Sequence, residues 1–388
     1  MKAIVCTKTG KTLEEGLENL VLTTRPIPEP NDSQIQVQVK AAALNYLDGL
    51  VLQSKFFFLT LGEKKKDKYQ IKFKPPFVPG KEQRHIKKIE VKGFKVGDHI
   101  CGSPAFPHGA FSEYAICNPT GIWKTSNEMD WLDASGFAIT YGTAYMTIVQ
   151  RAKFDELLKA HRSKKQSKGA NASSNSASIN ALVSAAAGGV GTASIQILKA
   201  LSEKEKEPVN IIACCGGSEK SDVVQQCGAT HIIDYKRVPN WSSEVLQISK
   251  NQGLDLFVDV VGGKVFDEAL KCMNWYGKMM IIGFAGGEIP KIAANRILLK
   301  SIDVSGVLWG ATGLKDFPSF YSSLVGALRL YDEGLLKPVV GNTFSFTIND
   351  VRQAFVELFS RKSVGKLVVC IDNTCLPKNL AGSAKSKL

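Results

Sequence analysis

The spacing of apolar residues divides the chain into stretches of different texture. Ile35-Gln-Val-Gln-Val-Lys alternates apolar and polar positions with period two, the pattern of a strand with one buried face. Phe94-Lys-Val-Gly-Asp-His-Ile and Gly109-Ala-Phe-Ser-Glu-Tyr-Ala-Ile add short strands or turns punctuated by glycine, so the first third reads as β-rich. From about residue 133 to 307, short apolar runs alternate with helical segments. The runs are Ala181-Leu-Val-Ser-Ala, Val209-Asn-Ile-Ile-Ala-Cys, Thr230-His-Ile-Ile-Asp, Leu254-Asp-Leu-Phe-Val-Asp-Val-Val and Lys278-Met-Met-Ile-Ile-Gly. Apolar strands separated by helices predict a parallel sheet covered on both faces. A helix over 351–361 and a strand over 366–371 close the pattern, and together these stretches predict a two-domain α/β protein.

Two segments break it. Phe56-Phe-Phe-Leu-Thr-Leu-Gly-Glu-Lys-Lys-Lys-Asp joins an apolar run to a charge run without a period, and 163–178 is rich in Ser, Asn, Ala and Lys, the composition of a mobile loop. These segments change how the charge is read. The formal charge is +13; residues 55–74 carry +5 of it, 159–168 another +5 and the tail from Leu376 the last +3. A nucleic-acid face would draw its charge from many elements, so the excess predicts solvated insertions and a tail instead. With 388 residues there is room for two domains. No window of about 18 apolar residues predicts a membrane span. Residues 1–6 read as a strand start, without the basic and apolar regions of a signal peptide. The nine cysteines form no Cys-x-x-Cys pair and predict reduced structural thiols of an intracellular protein.

The sharpest chemistry lies in Ala181-Leu-Val-Ser-Ala-Ala-Ala-Gly-Gly-Val-Gly-Thr-Ala-Ser-Ile. An apolar strand runs through Ala186-x-Gly188-x-x-Gly191 into an amphipathic helix, with alanine where the first glycine of the usual pattern stands. Gly188 would admit a pyrophosphate to the backbone, Gly191 would let helix and strand pack closely, and the helix N-terminus would attract the negative charge. At the end of the second strand, Ala213-Cys-Cys-Gly-Gly-Ser-Glu-Lys offers no strand-end acid for ribose hydroxyls. Ser218 and Lys220 suit a 2′-phosphate, which predicts NADPH over NADH; Glu219 would oppose this if it pointed inward.

Further stretches carry a family resemblance: Ala42-Ala-Leu-Asn-Tyr-Leu-Asp, Pro75-Pro-Phe-Val-Pro-Gly, Gly93-Phe-Lys-Val-Gly-Asp, Thr140-Tyr-Gly-Thr-Ala-Tyr, Asp259-Val-Val-Gly-Gly, Ile281-Ile-Gly-Phe-Ala-Gly-Gly, Gly306-Val-Leu-Trp-Gly and Val364-Gly-Lys. With the glycine turn, they make the chain resemble the zinc-free quinone oxidoreductase branch of the medium-chain dehydrogenase/reductase superfamily, most closely its peroxisomal quinone oxidoreductase-like members. The resemblance implies a GroES-like β-rich catalytic domain from both chain ends (1–136 and 311–375), an inserted Rossmann NADPH domain (137–310), and a tail (376–388). It also implies a cofactor cleft between the domains and homodimers that pair strands near 304–308. Asn45 falls where zinc-bearing cousins place a cysteine ligand and Lys81 where they place a histidine, so no metal is expected. The cofactor-binding positions it implies are Ala187, Gly188, Gly189, Val190 and Gly191 at the pyrophosphate, Ser218 and Lys220 at the 2′-phosphate, and Tyr235 beside the adenosine. Asn45, Thr140 and Gly283 fall near the nicotinamide, and Lys366 closes on the cofactor. Gln83-Arg-His-Ile-Lys-Lys-Ile-Glu-Val-Lys departs from the family pattern, and with the 56–67 segment it predicts a remodelled substrate wall.

A quinone accepts hydride without an obligatory acid, which suits a chain whose five histidines (His85, His99, His108, His161, His231) fall in loop or strand-end contexts. An enoyl thioester would want a proton donor. Tyr69 aligns with the tyrosine that related enoyl-thioester reductases use, Tyr46 is a second candidate, and lysines around Tyr69 would attract CoA phosphates. The expected activity is therefore NADPH-dependent reduction of quinones or other α,β-unsaturated carbonyls. The alternatives are enoyl-CoA reduction, or a catalytically silent NADPH- or RNA-binding protein. The terminal Ser386-Lys387-Leu388 has the form of a peroxisomal address read by an import receptor.

Overall fold

A computed structural model describes residues 1–54, 74–80, 84–89, 91, 93–167 and 179–375. Tyr69, Lys81 and Ser386-Lys387-Leu388 lie outside them. The chain divides into two compact units, residues 1–139 with 338–388, and residues 140–337.

In the first unit, β1 (Lys2–Cys6) pairs with β2 (Leu20–Thr24). β3 (Ile35–Val39), β4 (Ala41–Ala43), β5 (Arg84–Ile89), β6 (His99–Gly102), β7 (Tyr114–Cys117) and β8 (Ile122–Lys124) follow. Five of these form an antiparallel sheet in the order β7-β3-β5-β6-β8. The alternation in β3 predicts one wet face, yet Gln36 is buried, because β3 is an interior strand and the Gln36 amide donates to the Pro28 carbonyl at 2.8 Å.

The second unit holds β9 (Ile179–Ser184), β10 (Val209–Cys215), β11 (His231–Asp234), β12 (Leu254–Asp259), β13 (Met273–Ile281) and β14 (Asp303–Gly306). All are parallel, in the order β11-β10-β9-β12-β13-β14. The chain starts in the middle and winds outward in both directions, the doubly wound Rossmann arrangement. β9 is buried at every residue, as a central parallel strand must be. Leu182, Ile212, Phe257, Phe266 and Trp241 meet in the core of this unit.

The chain then returns to the first unit, where β15 (Val340–Ser345) and β16 (Lys366–Cys370) join β4 in a three-stranded sheet, β15-β16-β4. Phe111 and Phe355 meet edge to face at 6.1 Å in a core built from both ends of the sequence.

Two expectations are corrected. The return comes at residue 338, beyond the expected 311, because the helices Trp309–Lys315 and Phe317–Asp332 pack with the second unit. Trp309 Nε1 donates to Ser323 Oγ at 2.8 Å. Gln196 grips Lys337 like a strand partner, donating to its carbonyl at 2.9 Å and accepting its N–H at 2.7 Å. The basic stretch from 159 is also no loop as far as Ser167, since the helix Phe154–Ser167 contains it. Lys159 and Arg162 pair with Glu205 at the end of the helix Gly189–Glu205, and His161 stands 2.9 Å from Glu207, two residues beyond it.

Candidate functional site

The glycine turn sits at the end of the central strand β9. Ala185 takes a left-handed conformation (φ 46°), and Ala186 N–H donates to the Cys214 carbonyl of β10 at 3.2 Å, so the neighbouring strand holds the turn. Ala186, in the usual first-glycine place, is fully buried. The helix Gly189–Glu205 begins with Gly188 as its cap, a residue with no side chain to turn back on the first N–H groups, so those donors stay open for an anion. The two flanking glycines do different work. A Cβ on Gly191 would fall 2.3 Å from the Ala185 carbonyl oxygen and 2.6 Å from that of Ala186, which makes it the close-packing glycine. A Cβ on Gly188 would have only the Ala185 oxygen near it, at 3.3 Å, which leaves room for a ligand. Ala187 is buried, while Gly189 and Val190 are half-buried.

At the end of β10, Gly217 takes φ 106° and leads into the turn Ser218–Lys220. Ser218 is exposed, and Lys220 is buried. The Glu219 carboxylate folds back over Gly217, its oxygens 2.2 and 2.4 Å from where a Cβ would stand. Tyr235 and Lys236 lie across Gly216, with Tyr235 Cζ at 2.8 Å and Lys236 Cε at 2.9 Å from its Cβ position. Lys236 is exposed, with no ion pair among the described residues; its backbone N–H donates to Asp234 Oδ1 at 3.0 Å. Sequence reasoning passed over this cation. The signal available was its place next to Tyr235, opposite a strand-end glycine.

Between β9 and β12 the winding changes direction, the place where doubly wound sheets bind ligands. There Ser184 Oγ donates to Asp259 Oδ1 at 3.1 Å and accepts Val260 N–H at 2.9 Å. Asp259 Oδ1 also takes the N–H groups of Val261 and Gly262, both at 3.0 Å. Burial pushes the Asp259 carboxyl up, against those N–H groups and the Ser184 hydroxyl, which favour its anion. A Cβ on Gly283, just past β13, would meet only the Val260 oxygen at 3.7 Å, so space is open above it. Thr140 is buried in the helix Ala138–Tyr145.

In the first unit, Asn45 caps the helix Tyr46–Leu52 and Lys366 opens β16; both are buried. The Lys366 ammonium donates to Asn45 Oδ1 at 2.7 Å, so these two predicted residues meet. Tyr46 stacks on Phe359, ring centroids 4.6 Å apart, a packed aromatic. The predicted donor Tyr69 falls outside the described residues.

All nine cysteines are buried and none is in a disulfide. Burial pushes the Cys215 thiol up to about 11 and that of Cys370 up to about 12. Among the described residues no three His, Cys, Asp or Glu side chains cluster as a metal site.

Known proteins of the same build include several oxidoreductases. A family model described as zinc-binding dehydrogenase matches residues 189–325. The chain is 30% identical over 376 residues to quinone oxidoreductase-like protein 2 homolog of Nematostella vectensis, covering 95% of this chain and 88% of that one. It is 28% identical over 353 residues to quinone oxidoreductase-like protein 2 of Bos taurus, covering 90% and 88%. Among solved structures, the quinone oxidoreductase of Thermus thermophilus, determined also as its complex with NADPH, shares the fold with a TM-score of 0.69 at 24% identity, over 96% of this chain and all of that one.

Proposed function

Because the chain belongs to the quinone oxidoreductase branch of the medium-chain dehydrogenase/reductase superfamily, we propose that it is an NADPH-dependent reductase of quinones or other α,β-unsaturated carbonyl compounds, working without zinc. The observation that carries this reading is the glycine turn: a central strand, an open helix cap at Gly188 and a close-packed Gly191. That geometry fits a dinucleotide pyrophosphate, which would take the free N–H groups of the helix start. Ser218, Lys220, Tyr235 and Lys236 would surround the adenosine end, with two cations to answer a 2′-phosphate. Gly283 and Thr140 would line the nicotinamide end, beside the loop that Asp259 holds.

A bound nicotinamide would supply the hydride. The residues supply position and a donor, since the electron pair that arrives with the hydride ends on the substrate oxygen and a solvent proton completes the reduction. Asn45 offers an amide where zinc-bearing cousins place a thiolate, and an amide is a poor zinc ligand; this supports a metal-free site.

Nicotinamide fluorescence, followed while the purified protein is titrated with NADPH and with NADH, tests the cofactor. Oxidation of NADPH by a panel of quinones and enones, with and without a chelator, tests the reaction. The expected result is tighter binding of NADPH and chelator-resistant turnover of at least one quinone. A protein that binds neither nucleotide, or binds NADPH and turns over nothing in the panel, would end this reading.

A further inference from the structure

Asn45 is 8% exposed and Lys366 7%. The ammonium donates to the Leu44 carbonyl at 2.5 Å and to Asn45 Oδ1 at 2.7 Å. An ammonium has donors only, so this contact fixes which way the amide faces: its oxygen lies toward Lys366 and its nitrogen away. Asn45 Nδ2 is buried and has no hydrogen-bond partner among the described residues. The main chain of Asn45 is held as well. Asn45 N–H is held by Asp48 Oδ2 at 2.9 Å, and its carbonyl accepts Asp48 N–H at 2.9 Å. A buried amide nitrogen with both hydrogens unanswered is unfavourable, and an acceptor that arrives with a ligand would relieve it.

The path of the lysine is also built. A Cβ on Gly136 would fall 3.0 Å from Lys366 Cγ and 3.3 Å from its Cβ, so the absence of a side chain at 136 leaves the stem its place. The C-terminal end of the helix Trp131–Ser135, the first turn of the helix Tyr46–Leu52 and β16 thus converge on one amide.

We propose that Lys366 is a positioning residue that holds and polarises the Asn45 amide, so that Nδ2 donates to an oxygen atom of the bound reactants. This rests on the reductase reading above and adds the means by which the donor is kept ready. A cation on Oδ1 draws electron density from the amide and strengthens Nδ2–H as a donor. A donor fixed in advance is most effective where negative charge grows on an oxygen during reaction. The acceptor is a carbonyl or quinone oxygen of the substrate, or a hydroxyl or carboxamide oxygen of the nucleotide.

The test is a double-mutant cycle on the full chain with Asn45→Ala, Lys366→Met and the pair, measured for NADPH affinity and for kcat and KM. Each single change is expected to lower kcat/KM by about 10- to 100-fold. The pair should be little worse than the poorer single variant, because the lysine acts through the amide. A fall in kcat at unchanged NADPH affinity assigns the acceptor to the substrate, and a fall in NADPH affinity at unchanged kcat assigns it to the nucleotide. Gly136→Ala keeps both side chains and crowds the lysine stem; it should give the same signature in weaker form and serves if Lys366→Met does not fold. Losses that multiply independently, or a folded Lys366→Met or Gly136→Ala protein with wild-type constants, overturn the proposal. A wild-type protein that binds no nicotinamide nucleotide overturns the reductase reading and takes this one with it.

Discussion

Gly188 and Gly191 lie three residues apart in one turn, and the same substitution is expected to fail differently at each. At Gly191 an added methyl meets two backbone oxygens, 2.3 and 2.6 Å away, which cannot withdraw without moving β9 from its helix. Overpacking of this kind costs about 1–3 kcal/mol. Gly191→Ala should therefore lower the melting temperature and NADPH affinity together. At Gly188 the nearest atom is 3.3 Å away, so Gly188→Ala should melt within a few degrees of wild type. Its methyl would stand where the pyrophosphate approaches, and NADPH affinity should fall by about tenfold or more. Thermal unfolding beside a fluorescence titration separates the two, and equal losses of stability would refute the division of labour. This much was legible in the sequence, because a strand, a glycine turn and a helix are local and the reason for each glycine is steric. The lysine positions were harder to read. Lys220 matched a pattern but is buried, while Lys236 lies over Gly216 only because β10 and β11 end side by side, a pairing that spacing alone does not reveal.

Five strands of the doubly wound sheet announced themselves as apolar runs, and so did β16 as a strand, whereas the pairing of strands from distant parts of the chain did not. β16 is such a case, since it lies between β15 and β4, more than 320 residues after the latter. Its far end is fastened by Lys40. The Lys40 carbonyl accepts N–H from Ile371 at 2.9 Å and from Asp372 at 3.0 Å, and its ammonium sits 2.5 Å from Asp372 Oδ2. Burial pushes the Asp372 carboxyl up, but the Lys40 ammonium and the N–H and hydroxyl of Thr374 outweigh it and hold it below its usual 3.8. A carboxyl held down in the folded state adds stability above its unfolded value and loses it as the pH falls through the lowered one. Asp372→Asn should thus be less stable than wild type at neutral pH, by about 1 kcal/mol for a partly buried pair. The gap should begin to narrow below the usual 3.8, where the unfolded carboxyl takes up its proton, and close once the pH falls below the lowered folded value. Urea unfolding from neutral pH down to about pH 3 reads this directly, and a gap that stays constant with pH would show that the ion pair contributes nothing.

The domain boundary shows what a single chain's pattern leaves out. A boundary at 311 would cut the helix Trp309–Lys315 and give Phe317–Asp332 to the first unit; instead Trp309 joins the two helices to each other, and Gln150 on Ser319 and Gln196 on Lys337 tie this stretch to the second. That unit also has an edge. Among the described residues β14 pairs with β13 alone, and Val307 N–H, just beyond it, donates inward to the Ile281 carbonyl at 2.8 Å. Because successive residues of a parallel strand bond to opposite sides, Gly306 turns its N–H outward. Exposed apolar side chains stand in the same region of the chain, Leu298 at 77%, Leu299 at 70% and Leu308 at 47%. An open strand edge beside exposed leucines is normally covered. A second copy related by a two-fold axis would cover it by running its own β14 antiparallel to this one, which joins two six-stranded sheets into one of twelve. Gly306→Pro tests this cleanly. A Cβ at 306 meets nothing within 4 Å, so the ring has room, and the lost N–H is one that turns away from β13. The wild type should sediment at twice the 42.2 kDa chain mass, and Gly306→Pro should sediment at the chain mass with an unchanged circular dichroism spectrum. A variant that remained dimeric would move the interface away from β14, and a monomeric wild type would mean that something else covers the edge.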